Sequence, residues 1–111
     1  MKRKRKRRTD GEAYEKHVAR KMRWRCFLFV RRVGKTGDFG ADVVARTLLL
    51  RKIVVQCKCY SGKVGVKAVQ EVCAAKLFYG ASRAAVATNS TFTRAARKLA
   101  DRCGVSLWER Y

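Results

Sequence analysis

The sequence predicts an α/β fold with a mixed central β-sheet flanked by helices. Short runs of apolar and β-branched residues alternate with segments of helical periodicity, in the order helix, three strands, helix, strand, helix, strand. The second and third strands are separated by a single turn, which favours antiparallel pairing, and the later strands are separated by helices, so a mixed sheet is expected. With 111 residues, the chain is expected to form one domain with a single modest core.

The first helix is predicted after Asp10, a residue type that often serves as an N-cap. Glu15 would lie near the positive end of this helix. The apolar positions recur at helical spacing: Tyr14, Val18 and Met22. The run Phe27-Leu28-Phe29-Val30 then predicts the first strand.

The next two strands are predicted over residues 41–46 and 53–59. Glycines bound the first of them on its N-terminal side: Gly34, Gly37 and Gly40. Residues 47–51 are predicted to form the turn between the strands. The run Leu48-Leu49-Leu50 is unusually apolar for a turn and would also fit partly within the strands.

A basic, glycine-containing loop at 61–65 precedes the second helix, which is predicted to begin near Val66 and to stop at Gly80. Its inward side chains are predicted to be Val69, Val72, Cys73, Leu77 and Phe78. A short buried strand is expected over 84–88.

The segment Asn89-Ser90-Thr91 is predicted to cap the third helix, and Gly104 to end it. The apolar face of this helix would comprise Phe92, Ala95, Ala96, Leu99, Ala100 and Cys103. Residues 105–108 are predicted to form the last strand.

Two polar side chains interrupt the third strand. Alternation places Val54, Gln56 and Lys58 on one face and the residues between them on the other. A buried amide and ammonium cost free energy unless they are paired or liganded. If the preceding strand pairs antiparallel, Asp42 can share their face, so a carboxylate, an amide oxygen and an ammonium are expected to converge.

The charge predicts a polyanionic partner. The chain has 28 Lys and Arg against 8 Asp and Glu, a formal net charge of +20, which implies strong self-repulsion unless DNA or RNA is bound. Residues 1–10 are expected to form a basic, disordered tail and residues 11–111 the folded domain. The tail could be a phosphate-binding arm, a nuclear-import signal in a eukaryotic host, or a solubilising segment. The domain without the tail remains strongly cationic.

The cysteines and the hydropathy predict an intracellular protein. Five cysteines, an odd number, with no hydrophobic leader indicate a reducing compartment, cytoplasmic or nuclear according to the host. Their spacing fits no compact zinc motif, so they are expected to be core residues. No apolar run approaches the ~18 residues of a membrane span. His17 is the single histidine, which excludes histidine-based metal clusters.

Several segments together resemble the Mrr-like restriction endonucleases, over about residues 11–108. They are Tyr14-Glu15, Thr36-Gly37-Asp38-Phe39-Gly40-Ala41-Asp42, Val54-Val55-Gln56-Cys57-Lys58, the loop at 60–66, and Ala87-Thr88-Asn89-Ser90-Thr91-Phe92-Thr93. This family belongs to the PD-(D/E)xK nuclease superfamily, and its Mrr-like branch has glutamine at the second acidic position. Gln56 fits that variant.

The resemblance implies a DNA endonuclease that uses a divalent metal, Mg²⁺ or Mn²⁺. Asp42, Gln56 and Glu15 would hold the metal, and Lys58 would be the catalytic lysine. Hard oxygen ligands suit Mg²⁺, which keeps several waters and needs only one or two carboxylates. The expected nucleic-acid contacts are Lys2, Arg3, Lys4, Arg5, Lys6, Arg7, Arg8 and Lys63. A homodimer is expected if both DNA strands are cut.

Other interpretations of these residues stay open. Asp42 could satisfy backbone amides in a turn, Lys58 could be a solvated edge charge, and Glu15 could lie on a solvated helix face. Asp38 is the rival of Asp42 for the acidic position. The alternative function is a nucleic-acid-binding module that retains a nuclease fold without turnover.

Overall fold

Five strands form one mixed sheet whose spatial order, β1-β2-β3-β4-β5, is also their order in the chain. The computed structural model describes residues 8–33 and 40–111. Its elements are α1 (Arg8–Trp24), β1 (Leu28–Arg32), β2 (Val43–Arg46), β3 (Lys52–Lys58), α2 (Val66–Phe78), β4 (Arg83–Thr88), α3 (Arg94–Cys103) and β5 (Val105–Trp108). The predicted fold class and order of elements are confirmed.

The first three strands pair antiparallel and the last three pair parallel. Val43 lies opposite Val55 in the β2–β3 ladder, whereas Gln56 lies beside Val86 in the β3–β4 ladder. The antiparallel pair needs only the turn at 47–51, closed by a hydrogen bond from Thr47 N to Arg51 O of 2.9 Å. The parallel pairs need crossovers, which α2 and α3 supply.

The sheet separates two apolar clusters. On one face α1 packs against the side chains of Val43, Val55 and Cys57. On the other face α2 and α3 pack against Val44 and Val54. Strict alternation along β3 therefore gives each helical layer its own row of side chains. Gln56 and Lys58 belong by register to the α2 face, opposite Cys57 and Cys59.

Two predicted helix starts are wrong. Helix α1 begins at Arg8, so Asp10 lies in its first turn and is not the N-cap. Helix α3 is capped by Thr93, whose hydroxyl accepts a hydrogen bond from Ala96 N of 3.1 Å. The segment at 89–91 precedes this cap and instead fixes the neighbouring loop, as described below. Gly104 ends α3 in the left-handed conformation, as predicted.

Several residues that were predicted to be inward are exposed. Leu77 and Phe78 are 84% and 56% exposed because they lie off the buried stripe of α2, which runs through Ala68, Val72 and Ala75 to the partly buried Tyr79. On α3, Ala95 and Cys103 face solvent. The run at 48–50 belongs to the turn, with all three leucines exposed.

The cysteines differ in burial. All five lie in the described segments as free thiols, of which Cys57 is buried and Cys26 and Cys103 are exposed. The expectation of core positions is therefore correct for Cys57 and wrong for the two exposed residues. Within residues 8–33 and 40–111, no helix has the length and apolar character needed to cross a membrane.

Candidate active site

The candidate site lies at the end of the sheet where strand β2 begins and strand β3 ends. These two ends meet because the strands run antiparallel. Asp42 stands immediately before β2, and its backbone connects three strands. Its N–H donates to Val55 O at 2.8 Å, and its carbonyl accepts from Val33 N at 2.8 Å. The backbone position of Asp42 is thus fixed on both sides.

The Asp42 side chain is fixed as well. Its Oδ2 accepts a hydrogen bond from the backbone N–H of Cys57 at 2.8 Å. The carboxylate therefore lies against β3 beside Gln56, the residue before Cys57. A backbone N–H stabilises the ionised form of a carboxylate that accepts from it. The Asp42 carboxylate thus accepts from a backbone amide, as the turn interpretation expected, but this amide belongs to the neighbouring strand β3. The same hydrogen bond fits the site interpretation, because it holds the carboxylate beside Gln56.

Gln56 is a buried polar residue whose amide has a defined orientation. The residue is 6% exposed, and Nε2 donates to Glu71 Oε1 on α2 at 2.8 Å. The reverse orientation would place the amide oxygen against a carboxylate oxygen, with no proton between them. The Gln56 Oε1 atom is therefore turned away from Glu71.

Lys58 completes the polar row on β3. Its Nζ lies 3.1 Å from Glu71 Oε1, and its side chain is only 12% exposed. It is therefore not a freely solvated edge charge. One carboxylate oxygen accepts from both polar residues of the strand.

Glu71 is a site residue that was not predicted from the sequence. A signal was present, because Glu71 follows Ala68 by three positions and precedes Ala75 by four, so it shares the buried face of α2. The predicted third strand carried two polar side chains without an assigned partner, Gln56 and Lys58. The Glu71 carboxylate could pair with both if this face of α2 packed on that strand.

Gly40 brings the segment before Asp42 against the same helix. It has φ of +80°, and a Cβ added there would lie 2.1 Å from the carbonyl oxygen of Glu71. Only glycine tolerates both the left-handed conformation and this close approach. The neighbouring Asp38, the rival acidic residue, lies outside the described residues.

Glu15 lies on the other side of the sheet, on α1, where its Oε1 accepts from Arg32 at 3.2 Å. Its side chain is 16% exposed. Burial chiefly, and then the carboxylates of Asp42 and Glu15, raise the pKa of the Cys57 thiol well above its ordinary value. The carboxylates of Asp42 and Glu15 thus both raise the pKa of the Cys57 thiol, although Asp42 precedes β2 and Glu15 lies on α1.

The donor set near β3 suits a hard divalent cation. Asp42 supplies a carboxylate held beside Gln56, and Gln56 has its amide oxygen turned away from the neighbouring carboxylate. Among the described residues, no three Asp, Glu, His or Cys side chains form a group that could hold a metal. Mg²⁺ does not require such a group, because it keeps several waters and binds through one or two carboxylates.

A cleft of about 760 Å³ opens beside the site. Lys58 and Glu71 line it together with Tyr60, Lys67 and Thr93. A bridge between Val64 and Phe92 holds the first turns of α2 and α3 side by side along this cleft. Helix N-termini carry partial positive charge and unpaired N–H groups, so this wall attracts anions.

The loop between β3 and α2 is fixed by the segment that follows β4. Asn89 exchanges two hydrogen bonds with the backbone of Tyr60, at 2.9 and 3.1 Å. Ser90 donates to Gly62 O at 2.7 Å. Lys63 is exposed on this loop. Of the predicted basic contacts in the tail, Arg8 is the first residue of α1, and residues 2–7 lie outside the described residues.

Comparisons with known proteins agree with this fold. The restriction endonuclease family Mrr_cat matches residues 6–111. Among solved structures, the DNA modification-dependent restriction endonuclease AspBHI is similar with a TM-score of 0.74 and 18% identity, over 93% of this chain and 30% of that chain. The protein of unknown function AF1548 has a TM-score of 0.72 and 22% identity, over 86% of this chain and 55% of that one.

The EndoMS–dsDNA complex is similar with a TM-score of 0.62 and 18% identity, over 89% of this chain and 44% of that chain. At these identities the likeness shows the fold alone. The chain spans between 30% and 55% of the length of these three structures. No curated protein sequence matches it.

Proposed function

Because the chain belongs to the Mrr_cat family of restriction endonucleases, whose match spans residues 6–111, we propose that it is a metal-dependent endodeoxyribonuclease. The observation that carries the proposal is the hydrogen bond that fixes the Asp42 carboxylate on the backbone amide of Cys57. Cys57 lies between Gln56 and Lys58 on β3, so the carboxylate is held beside both residues. An acidic residue, an amide and a lysine at one sheet edge are the groups that phosphodiester hydrolysis with a divalent cation needs.

In the proposed site Asp42 and Gln56 would hold Mg²⁺ or Mn²⁺ through a carboxylate oxygen and an amide oxygen. When bound, the cation would polarise the scissile phosphate and lower the pKa of a coordinated water. Glu15 is proposed to add negative charge from α1, although its pairing with Arg32 would have to be shared or released.

Lys58 is proposed to stabilise the charge that develops on the phosphate in the transition state. Its largely buried side chain lies at the wall of the cleft, where a fixed positive charge stabilises an anion more than in bulk water. Its Nζ lies 3.1 Å from the Glu71 carboxylate, so we assign it an electrostatic role.

DNA is proposed to lie along the cleft next to Lys58. Lys67 and the adjacent first turns of α2 and α3 would contact phosphates there, and Lys63 would contact them from the exposed loop. AspBHI and EndoMS are described as acting on or binding DNA. Because such contacts are to the backbone, binding is expected to be salt-sensitive and to show little sequence preference.

The test is cleavage of supercoiled plasmid and of labelled single-stranded and branched DNA with Mg²⁺, Mn²⁺ or EDTA. Wild type is compared with Asp42→Ala, Lys58→Ala and the surface control Asp101→Asn, which changes the net charge by the same amount as Asp42→Ala. Cutting that requires metal, persists in the control and is lost in both site variants is expected. Lys58→Ala should retain DNA binding, and an equal loss of cutting and binding would contradict its proposed role. The ratio of nicked to linear plasmid would show whether two active sites act together on the two DNA strands.

The second candidate is a DNA- or RNA-binding module without turnover, which the formal charge of +20 favours. In that case all variants would bind tightly in a salt-sensitive manner, and none would cut under any metal condition. With or without metal, the DNA affinities of wild type and Asp42→Ala would then differ only by the effect of the lost charge.

A further inference from the structure

Glu71 contacts the polar side chains of Gln56 and Lys58, both on β3, with a single oxygen. Its Oε1 accepts from Gln56 Nε2 at 2.8 Å and lies 3.1 Å from Lys58 Nζ. Neither Gln56 nor Lys58 is solvated, so each takes its orientation from this carboxylate. We infer that Glu71 is the positioning residue of the active site, which presents the Gln56 oxygen to the metal and the Lys58 ammonium to the phosphate. This inference rests on the proposed function.

The position of Glu71 is itself fixed. The surrounding residues of α2, Ala68, Val72 and Ala75, are buried in the core, which prevents rotation of the helix. Gly40 approaches the Glu71 carbonyl so closely that no side chain fits between them. The same residue of α2 thus contacts the polar side chains of β3 through its carboxylate and the segment before Asp42 through its backbone.

Substitution of Glu71 can remove its contact with Lys58 while keeping its contact with Gln56. An amide in its place keeps an oxygen that accepts from Gln56 Nε2 but loses the charge that holds Lys58. An alanine in its place loses both. Glu71→Gln should therefore disturb Lys58 alone, and Glu71→Ala should disturb Lys58 and Gln56 together.

The first measurement is single-turnover cleavage as a function of metal concentration, with DNA affinity measured in EDTA. Glu71→Gln should lower the saturating rate by about 10- to 100-fold, the range for residues that orient metal-site groups. Its half-saturating metal concentration and its DNA affinity should match those of Asp101→Asn, which removes an equal charge from an exposed site. Glu71→Ala should lower the rate and also raise the half-saturating metal concentration.

Two results would overturn the inference. If Glu71→Gln raised the half-saturating metal concentration as much as Glu71→Ala does, the carboxylate charge and not the contact with Gln56 would govern metal binding, as expected of a metal ligand. If both variants, once corrected for the folded fraction, cleaved at the rate of Asp101→Asn, Glu71 would have a structural role alone.

The second measurement needs neither metal nor activity. In ¹⁵N-labelled, metal-free protein, the side-chain amide protons of Gln56 should exchange slowly with solvent in wild type and in Glu71→Gln, and rapidly in Glu71→Ala. Rapid exchange in wild type would show that Glu71 does not hold Gln56. A wild type that never cuts DNA but shows the predicted exchange pattern would contradict the proposed function and leave the contact with Gln56 intact.

Discussion

Replacement of Gly40 by alanine should destabilise the protein far more than the same replacement at two other glycines with positive φ. Gly40, Gly80 and Gly104 have φ of +80°, +61° and +69°, so each Gly→Ala change imposes similar backbone strain. At Gly80 and Gly104 an added Cβ meets no atom within 4 Å, whereas at Gly40 it would lie 2.1 Å from the Glu71 carbonyl oxygen. The comparison therefore isolates the close approach.

The magnitudes follow from these distances. Left-handed backbone costs a non-glycine residue about 1–2 kcal/mol, and this is the whole effect expected at Gly80 and Gly104. Overpacking adds about 1–3 kcal/mol or more, because two backbone segments must separate to admit the Cβ at Gly40. The free energy of unfolding of Gly40→Ala should fall by about 2–5 kcal/mol, which is about 1–3 kcal/mol more than in either control, with ~2 kcal/mol as the central difference.

Urea unfolding followed by circular dichroism at fixed salt measures all three variants. Their m-values should equal that of wild type, so that the midpoints report stability directly. Thermal melts should separate Gly40→Ala from the controls by about 8 °C, at ~4 °C per kcal/mol for a domain of this size. Equal losses in the three variants would refute the packing of residue 40 on α2, and with it the backbone connection between Glu71 and Asp42.

Four further outcomes are expected. Thr93→Ala should lose about 1 kcal/mol of stability with its N-cap, and Thr93→Ser should retain most of it in the same urea assay. Tyr14→Phe should be neutral or stabilising by up to ~1 kcal/mol, because the buried Tyr14 hydroxyl has no hydrogen-bond partner among the described residues, and a clear loss would reveal a partner. Native-state alkylation at pH 8 should label the exposed Cys26 and spare Cys57, whose raised pKa and burial keep the thiol protonated, until urea unfolds the protein. Deletion of residues 2–8 should flatten the dependence of log Kd on log salt by ~0.9 per lost phosphate contact, and an unchanged slope would remove the tail from DNA binding.

The elements that the sequence predicted well are those whose periodicity is undisturbed by tertiary contacts. Alternation along β3 predicted which side chains share a face with Gln56, because a strand buried on both faces must follow its pleat. The family resemblance selected the sheet edge at Asp42 and Lys58. The start of α3 was misplaced because Asn89 and Ser90 have the chemistry of cap residues, but they bond the loop after β3 instead.

The partners of the polar residues were harder to predict. Glu71 stands in the middle of a helix, where most carboxylates face solvent, and its contact with β3 depends on how α2 is rotated over the sheet. The exposure of Leu77 and Phe78 has the same origin, since the buried stripe of α2 passes through Ala75 to the partly buried Tyr79 and leaves both residues outside it. Periodicity therefore gave the wrong exposure for Leu77 and Phe78. It places Glu71 beside the buried stripe of α2 but does not show which strand that stripe meets.

The order of the strands has a consequence for the speed of folding. Each strand lies beside its predecessor in the chain, and Asp42, Gln56, Lys58 and Glu71 fall within one continuous segment that forms β2, β3 and α2. The contacts of Asp42 with Cys57 and of Gln56 with Glu71 each close 15 positions, whereas the contact of Lys58 with Thr88 across β3 and β4 closes 30. Less loop-closure entropy therefore opposes the first two contacts. The groups proposed for catalysis can therefore come together early in folding, before β5 is added at the far edge of the sheet.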